Sequence, residues 1–212
     1  MRIGIIGSGR IGATAAHLLT AAGHEVAIAN ARGPASLAEL VGELGHTARA
    51  ASVEEAAAFG EVVLVAIPLR AYTDLPPGAF AGKVVVDANN YYPGRDGKVA
   101  ALDDGSTTSS ELLAAHLPDA AVVKAFNTMY FETLAGEGMP GAPRHQRLAL
   151  FVAGDDPDAK QRVGALIEEL GFAAVDAGSL ADSARQQPGA PLYNRPLLAG
   201  EAERVLAALQ EG

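Results

Sequence analysis

The stretch MRIGIIGSGRIGATAAHLL (residues 1–19) decides how the rest of the chain is read. Ile3, Ile5 and Ile6 make an apolar run of strand length, and Ile11, Ala15, Leu18 and Leu19 then recur at helical spacing. Between them Gly7, Gly9 and Gly12 form G-x-G-x-x-G. In a chain with 24 glycines that pattern alone says little. Placed after a strand and at the opening of a helix, it is a turn that brings backbone close to a pyrophosphate. Gly7 suits the tight turn, Gly9 the close approach and Gly12 the packing of helix on strand.

Downstream, the alternation continues. EVAIA (residues 25–29), VVLVAI (62–67), KVVVDA (83–88) and AAVVKAF (120–126) read as strands, the longer runs being apolar enough to be buried on both faces. A short strand is expected near residues 47–50. Helical patterns lie between them: Leu37, Leu40, Val41 and Leu44, bounded by Pro34 and Gly45, and a second opened by the capping-box pair Thr108 and Glu111. RLALFVAG, DDPDAKQRVGALIEELG and FAAVDAG repeat strand, helix and strand, and LLAGEAERVLAALQ is a helical tail. This predicts an α/β fold, a Rossmann-like doubly wound, mostly parallel sheet with a small C-terminal α/β extension. The expected division is a dinucleotide-binding domain over 1–135 and an extension over 136–212 on the same sheet, or one domain over 1–212.

Composition narrows the function. A formal net charge of −9 disfavours nucleic acid and anionic membrane surfaces. The lack of cysteine removes disulfides, thiolate nucleophiles and cysteine-bound clusters, and fits a cytoplasmic location. No run approaches a membrane span, and the start does not read as a signal peptide. The expected partner is a small-molecule redox acceptor. A homodimer is one arrangement the apolar tail allows.

At the end of the second strand, where an Asp or Glu usually holds the adenosine ribose, the chain reads Asn30-Ala31-Arg32. An acid would repel a 2′-phosphate; Asn30 is neutral, and Arg32 offers a charged fork that matches one. The pattern points to NADP(H), the alternative being a solvated arginine. Ligands of parallel sheets lie at the carboxyl ends of the strands. There stand Ile67 and Pro68, then Asn89 and Asn90, then Asn127 and Thr128, with Tyr91, Tyr92, Met129 and Tyr130 as candidates for a flat wall. Asn and Pro are also ordinary turn residues. Asn89 and Asn127 are the candidates for work at the reacting centre.

Other chemistries find little. The five histidines have no metal-ligand spacing. Asp155 and Asp156 read as helix caps, Asp103 and Asp104 as solvated loop residues, and Ser109 and Ser110 lack the setting of a nucleophile. No general acid stands out. Arg144, His145 and Arg147, after the Gly/Pro-rich loop from Ala135, form a basic cluster able to close over an anionic acceptor or to remain solvated.

The segments from MRIGIIGSGRIG through ANARGP, VVVDANNYYPGRDG, VVKAFNTM and LFVAGDDPDAKQRVGALIEELGF to VDAGSL together resemble the NADPH-dependent reductases of the deazaflavin coenzyme F420. The same domain type is similar to the cytoplasmic part of membrane-embedded ferric reductases. The resemblance implies direct hydride transfer between NADP(H) and coenzyme F420. It places Ser8, Arg10 and Ile11 with Gly7, Gly9 and Gly12 around the pyrophosphate, and Asn30 and Arg32 at the 2′-phosphate. Ile67, Pro68, Asn89 and Asn127 fall on the nicotinamide and acceptor side. The chain departs from archaeal members in having one arginine after the second strand, not two, and AFNT where they carry a histidine. The competing readings are reduction of a flavin, ferric chelate, imine or keto acid on the same scaffold, and a non-catalytic NADPH sensor.

Overall fold

A computed structural model describes residues 1–210; the last two residues of the expected extension lie outside the described residues. The elements run β1 (Arg2–Ile6), α1 (Arg10–Ala21), β2 (Glu25–Ala29), α2 (Ala38–Leu44), β3 (Ala48–Ala50), α3 (Val53–Phe59), β4 (Val62–Val65) and β5 (Val84–Asp87). They continue with α4 (Pro93–Asp96), α5 (Ala100–Asp103), α6 (Ser109–His116), β6 (Ala121–Lys124), α7 (Phe131–Gly136), β7 (Ala149–Gly154), α8 (Pro157–Glu169), β8 (Ala173–Gly178) and α9 (Ala199–Gln210). The sheet order is β3-β2-β1-β4-β5-β6-β7-β8, with every pair parallel except β6 and β7. The doubly wound sheet expected from the alternation is therefore present. The chain reverses direction across the sheet between β1 and β4, where such folds open a crevice.

Strand alternation assigns each side chain to a layer. In β4, Val62 and Leu64 pack with α1 and α8 on one face, while Val63 and Val65 pack with α3 and α6 on the other. Each fully buried aliphatic side chain contributes about 1.5–3 kcal/mol relative to exposure. β7 and β8 extend the same sheet, and α9 covers them through Ala202 and Leu206.

Two local readings change. The segment from Pro34 begins as a 3-10 turn to Leu37 before α2, because proline and the preceding Gly33 at φ 85 start it outside α geometry. The helix α3 was not expected, although Ser52 and Glu55 close a full capping box at its start. Its buried face is Ala56 and Ala57, too small to give a strong apolar period.

Candidate active site

The glycine turn is built as its spacing requires. Gly7 sits at φ 110, and a Cβ there would run into the Ala66 carbonyl; a Cβ on Gly12 would run into the Gly7 carbonyl. Gly9 differs. It holds φ −72 and ψ −175, open to any residue, and a Cβ there meets no protein atom within 4 Å. Nothing inside the protein requires glycine at 9, and the space beside it is open. α1 also starts bare, with no side-chain cap and no acid in its first turn, whereas Ser52, Thr108 and Asp156 cap α3, α6 and α8. Its N–H groups and positive dipole end face that space.

A cavity of about 350 Å³ lies beside the turn, lined by Ser8, Gly9, Asn30, Arg32, Ile67 and Pro68 among others. Asn30 is committed internally: its Nδ2 donates to Ser8 Oγ at 2.9 Å, and its Oδ1 accepts from Arg32 N–H at 2.9 Å and from Ser36 hydroxyl at 3.1 Å. It ties the glycine turn to the loop after β2. The exposed Arg32 side chain makes no hydrogen bond or ion pair among the described residues. Asp74, from the turn after β4, is the acid in this cavity.

A second cleft, of about 500 Å³, shares Gly9, Ile67 and Pro68 with the first and continues past Arg10, Ile11, Asn89 and Asn127. The side-chain orientation of both amides is fixed by their partners. Asn89 Oδ1 accepts from Ile67 N–H at 2.8 Å, which leaves Nδ2 as a buried donor without a partner. Asn127 Nδ2 donates to Asn90 Oδ1 at 3.1 Å and to the Gln186 carbonyl at 2.7 Å, which leaves Oδ1 as a buried acceptor without one.

Beneath Asn89 lies a buried ionic network that the sequence reading passed over. Lys124 Nζ donates to Asp87 Oδ2 at 3.1 Å, to the Asn89 carbonyl and to Ser109 Oγ at 3.4 Å. Asp87 Oδ2 also accepts from Ser110 hydroxyl at 2.6 Å, and Oδ1 accepts from Asn89 N–H at 2.9 Å. Lys124 and Asp87 are both fully buried. Burial lowers the Lys124 pKa, against the pull of the Asp87 carboxylate. Ser109 and Ser110, which lack a nucleophile's setting in the sequence, are buried members of this network.

The outer wall is aromatic. Tyr92, Met129, Tyr130, Phe131 and Tyr193 line it, with Arg95 beside them. Arg10 lies over the Phe131 ring at 4.9 Å and Arg95 over the Tyr92 ring at 4.9 Å. Tyr91 is not part of this wall: its hydroxyl donates to Asp103 at 2.9 Å, and Asp103 is otherwise exposed, as its loop setting suggests. The basic cluster after the glycine-rich loop is elsewhere. Arg144 pairs with Glu203 and Glu168, Arg147 pairs with Glu168, and neither lines the cleft. The cleft's cations are Arg10 and Arg95. A larger groove, of about 880 Å³, runs between the start of β6 and the start of α8, and none of the glycine-turn or strand-end residues lines it.

Residues 2–91 match the family model described as NADP oxidoreductase, coenzyme F420-dependent. The structure of a protein from Arthrobacter sp. FB24, proposed to be an F420-dependent NADP reductase, agrees with a TM-score of 0.75 at 26% identity, over 93% of this chain and 99% of that one. Over its first 91 residues the chain is thus similar to the coenzyme F420-dependent NADP oxidoreductase family. A hypothetical protein from Sinorhizobium meliloti shares the fold with a TM-score of 0.80 at 36% identity, over 93% of this chain and 95% of its own. Metalloreductase STEAP3 of Rattus norvegicus is 32% identical over 92% of this chain, which spans 37% of that protein's length. The family is one of NADP-dependent oxidoreductases, and no helix among the described residues is long and apolar enough to cross a membrane.

Proposed function

We propose that this chain transfers a hydride between NADP(H) and coenzyme F420. The observation that carries the reading is the meeting of two cavities at Gly9, Ile67 and Pro68. A dinucleotide laid over Gly9 has its adenosine half in the smaller cavity and its nicotinamide in the larger. Bound NADPH supplies the hydride; the chain binds and aligns the two reactants. The uncapped start of α1 receives the pyrophosphate. Arg32 is the free cation for the 2′-phosphate, and Asn30 acts at one remove, by shaping the loop that carries Arg32. The donor on Asn89 and the acceptor on Asn127 complement a carboxamide.

The acceptor side favours a flat, anionic molecule. Tyr92, Tyr130, Phe131 and Tyr193 offer ring faces and edges for stacking, and Arg10 and Arg95 supply charge in an otherwise acidic protein. Hydride transfer between two rings needs only that they be held face to face with water kept out. A second reading, reduction of a flavin or ferric chelate, is favoured by the 32% identity to a metalloreductase.

Stopped-flow mixing of NADPH and F420 with the protein tests the choice. The expected result is bleaching of F420 in one phase, slowed by deuterium at the transferred position of NADPH. Absence of bleaching at high protein concentration, with brisk turnover of ferric chelate or flavin, would favour the second reading.

A further inference from the structure

We propose that the buried Lys124–Asp87 pair is a positioning device, which locks Asn89 so that its Nδ2 is a fixed donor at the nicotinamide side of the cleft. The inference rests on the cleft being the nicotinamide site. It starts from the bonds Asn89 makes. Its N–H goes to Asp87, its carbonyl receives Lys124, and its Oδ1 receives Ile67 N–H. Three of its four polar groups are held by partners on three separate residues, and only Nδ2 is left over. The residue can neither slide along the strand end nor flip its amide.

Stability does not account for the pair. Burying two charges costs several kcal/mol each in desolvation, and apolar residues of similar volume generally serve a core as well or better. The neighbours in β5 and β6 are valines, so an apolar pair would suit the layer. The charges are instead fully committed: the three Lys124 donors all have acceptors, and Asp87 takes bonds from Lys124, Ser110 and Asn89. The two residues face each other in register across β5 and β6, the strands that carry Asn89 and Asn127 at their ends. Lys124 and Asp87 thus hold one half of a donor–acceptor pair at a set position relative to the other half.

Calorimetric titration with NADPH and with adenosine 2′,5′-bisphosphate, which has no nicotinamide, separates this role from a structural one. The neutral double variant Lys124→Met/Asp87→Asn is expected to weaken NADPH roughly tenfold and leave the bisphosphate unchanged, and to add nothing when Asn89 is already Ala. Equal loss for both ligands, or full additivity with Asn89→Ala, would overturn the proposal alone. If Asn89→Ala itself leaves both affinities unchanged, the reading of the cleft falls and the proposal with it. Should the double variant not fold, Ser110→Ala keeps both charges and takes one bond from Asp87. The same selective loss, smaller in size, is expected; no loss, or equal loss for both ligands, would overturn the proposal.

Discussion

The hydroxyls of Tyr92 and Tyr193, 101 residues apart in the chain, share a hydrogen bond of 2.6 Å at the rim of the cleft. Burial first, and then the bond to Tyr92, push the Tyr193 pKa well above the usual tyrosine range. Tyr193 therefore stays a neutral hydroxyl wherever the protein works. Tyr193→Phe is expected to weaken F420 binding by roughly threefold to tenfold and to leave NADPH affinity unchanged, measured by titration of each ligand. Equal F420 affinity would remove Tyr193 from the acceptor site.

The same group sets an alkaline limit. An unfolded tyrosine ionises near about pH 10, while folded Tyr193 keeps its proton beyond that. Above this pH the folded state binds more protons than the unfolded one, so stability falls as pH rises. Tyr193→Phe should make that fall shallower in denaturant titrations at pH 9 to 11; an unchanged slope would show that the hydroxyl is not so held.

Arg32→Ala should lose most of a preference for NADPH over NADH. A charged hydrogen bond contributes about 1.5–3 kcal/mol, or roughly ten- to a hundredfold in affinity. NADH binding should be nearly unaffected. Equal binding of the two dinucleotides by the unaltered protein would contradict the role given to Arg32.

The glycines of the turn should separate into two kinds. Gly9→Val is expected to abolish NADPH binding with a melting temperature close to the original, since no protein atom stands within 4 Å of a Cβ at 9. Gly12→Val should destabilise by about 1–3 kcal/mol or more, because its Cβ meets the Gly7 carbonyl. Normal affinity in the Gly9 variant would move the pyrophosphate elsewhere.

The sheet was legible because its strands are continuous apolar runs whose burial on two faces leaves no ambiguity, as in VVLVAI. The glycine turn was legible because backbone sterics demand glycine at 7 and 12, the outer positions of its spacing. Helix α3 was not, since alanines at 56 and 57 carry little hydrophobic contrast; the capping pair Ser52 and Glu55 was the available signal. Lys124 and Asp87 look like ordinary charges at strand ends. Only the pairing of β5 with β6 shows that they meet in a dry interior. Tyr193 comes from PLYNRP, which has no periodicity, and its arrival at the cleft depends on the reversal of β7 and the return of the chain after β8.

That return divides the proposed ligands between parts of the chain: the adenosine end meets Ser8, Asn30, Arg32 and Asp74, while the acceptor end is walled by residues from Tyr92 to Tyr193, with Arg10 beside them. The stretch matched by the family model stops at residue 91, ahead of Tyr92 and the later acceptor wall. Relatives can then hold the same electron donor while diverging in what they reduce, by altering only the later part of the chain. Exchange of segment 92–198 between two such proteins would carry acceptor choice with it and leave the preference for dinucleotide behind.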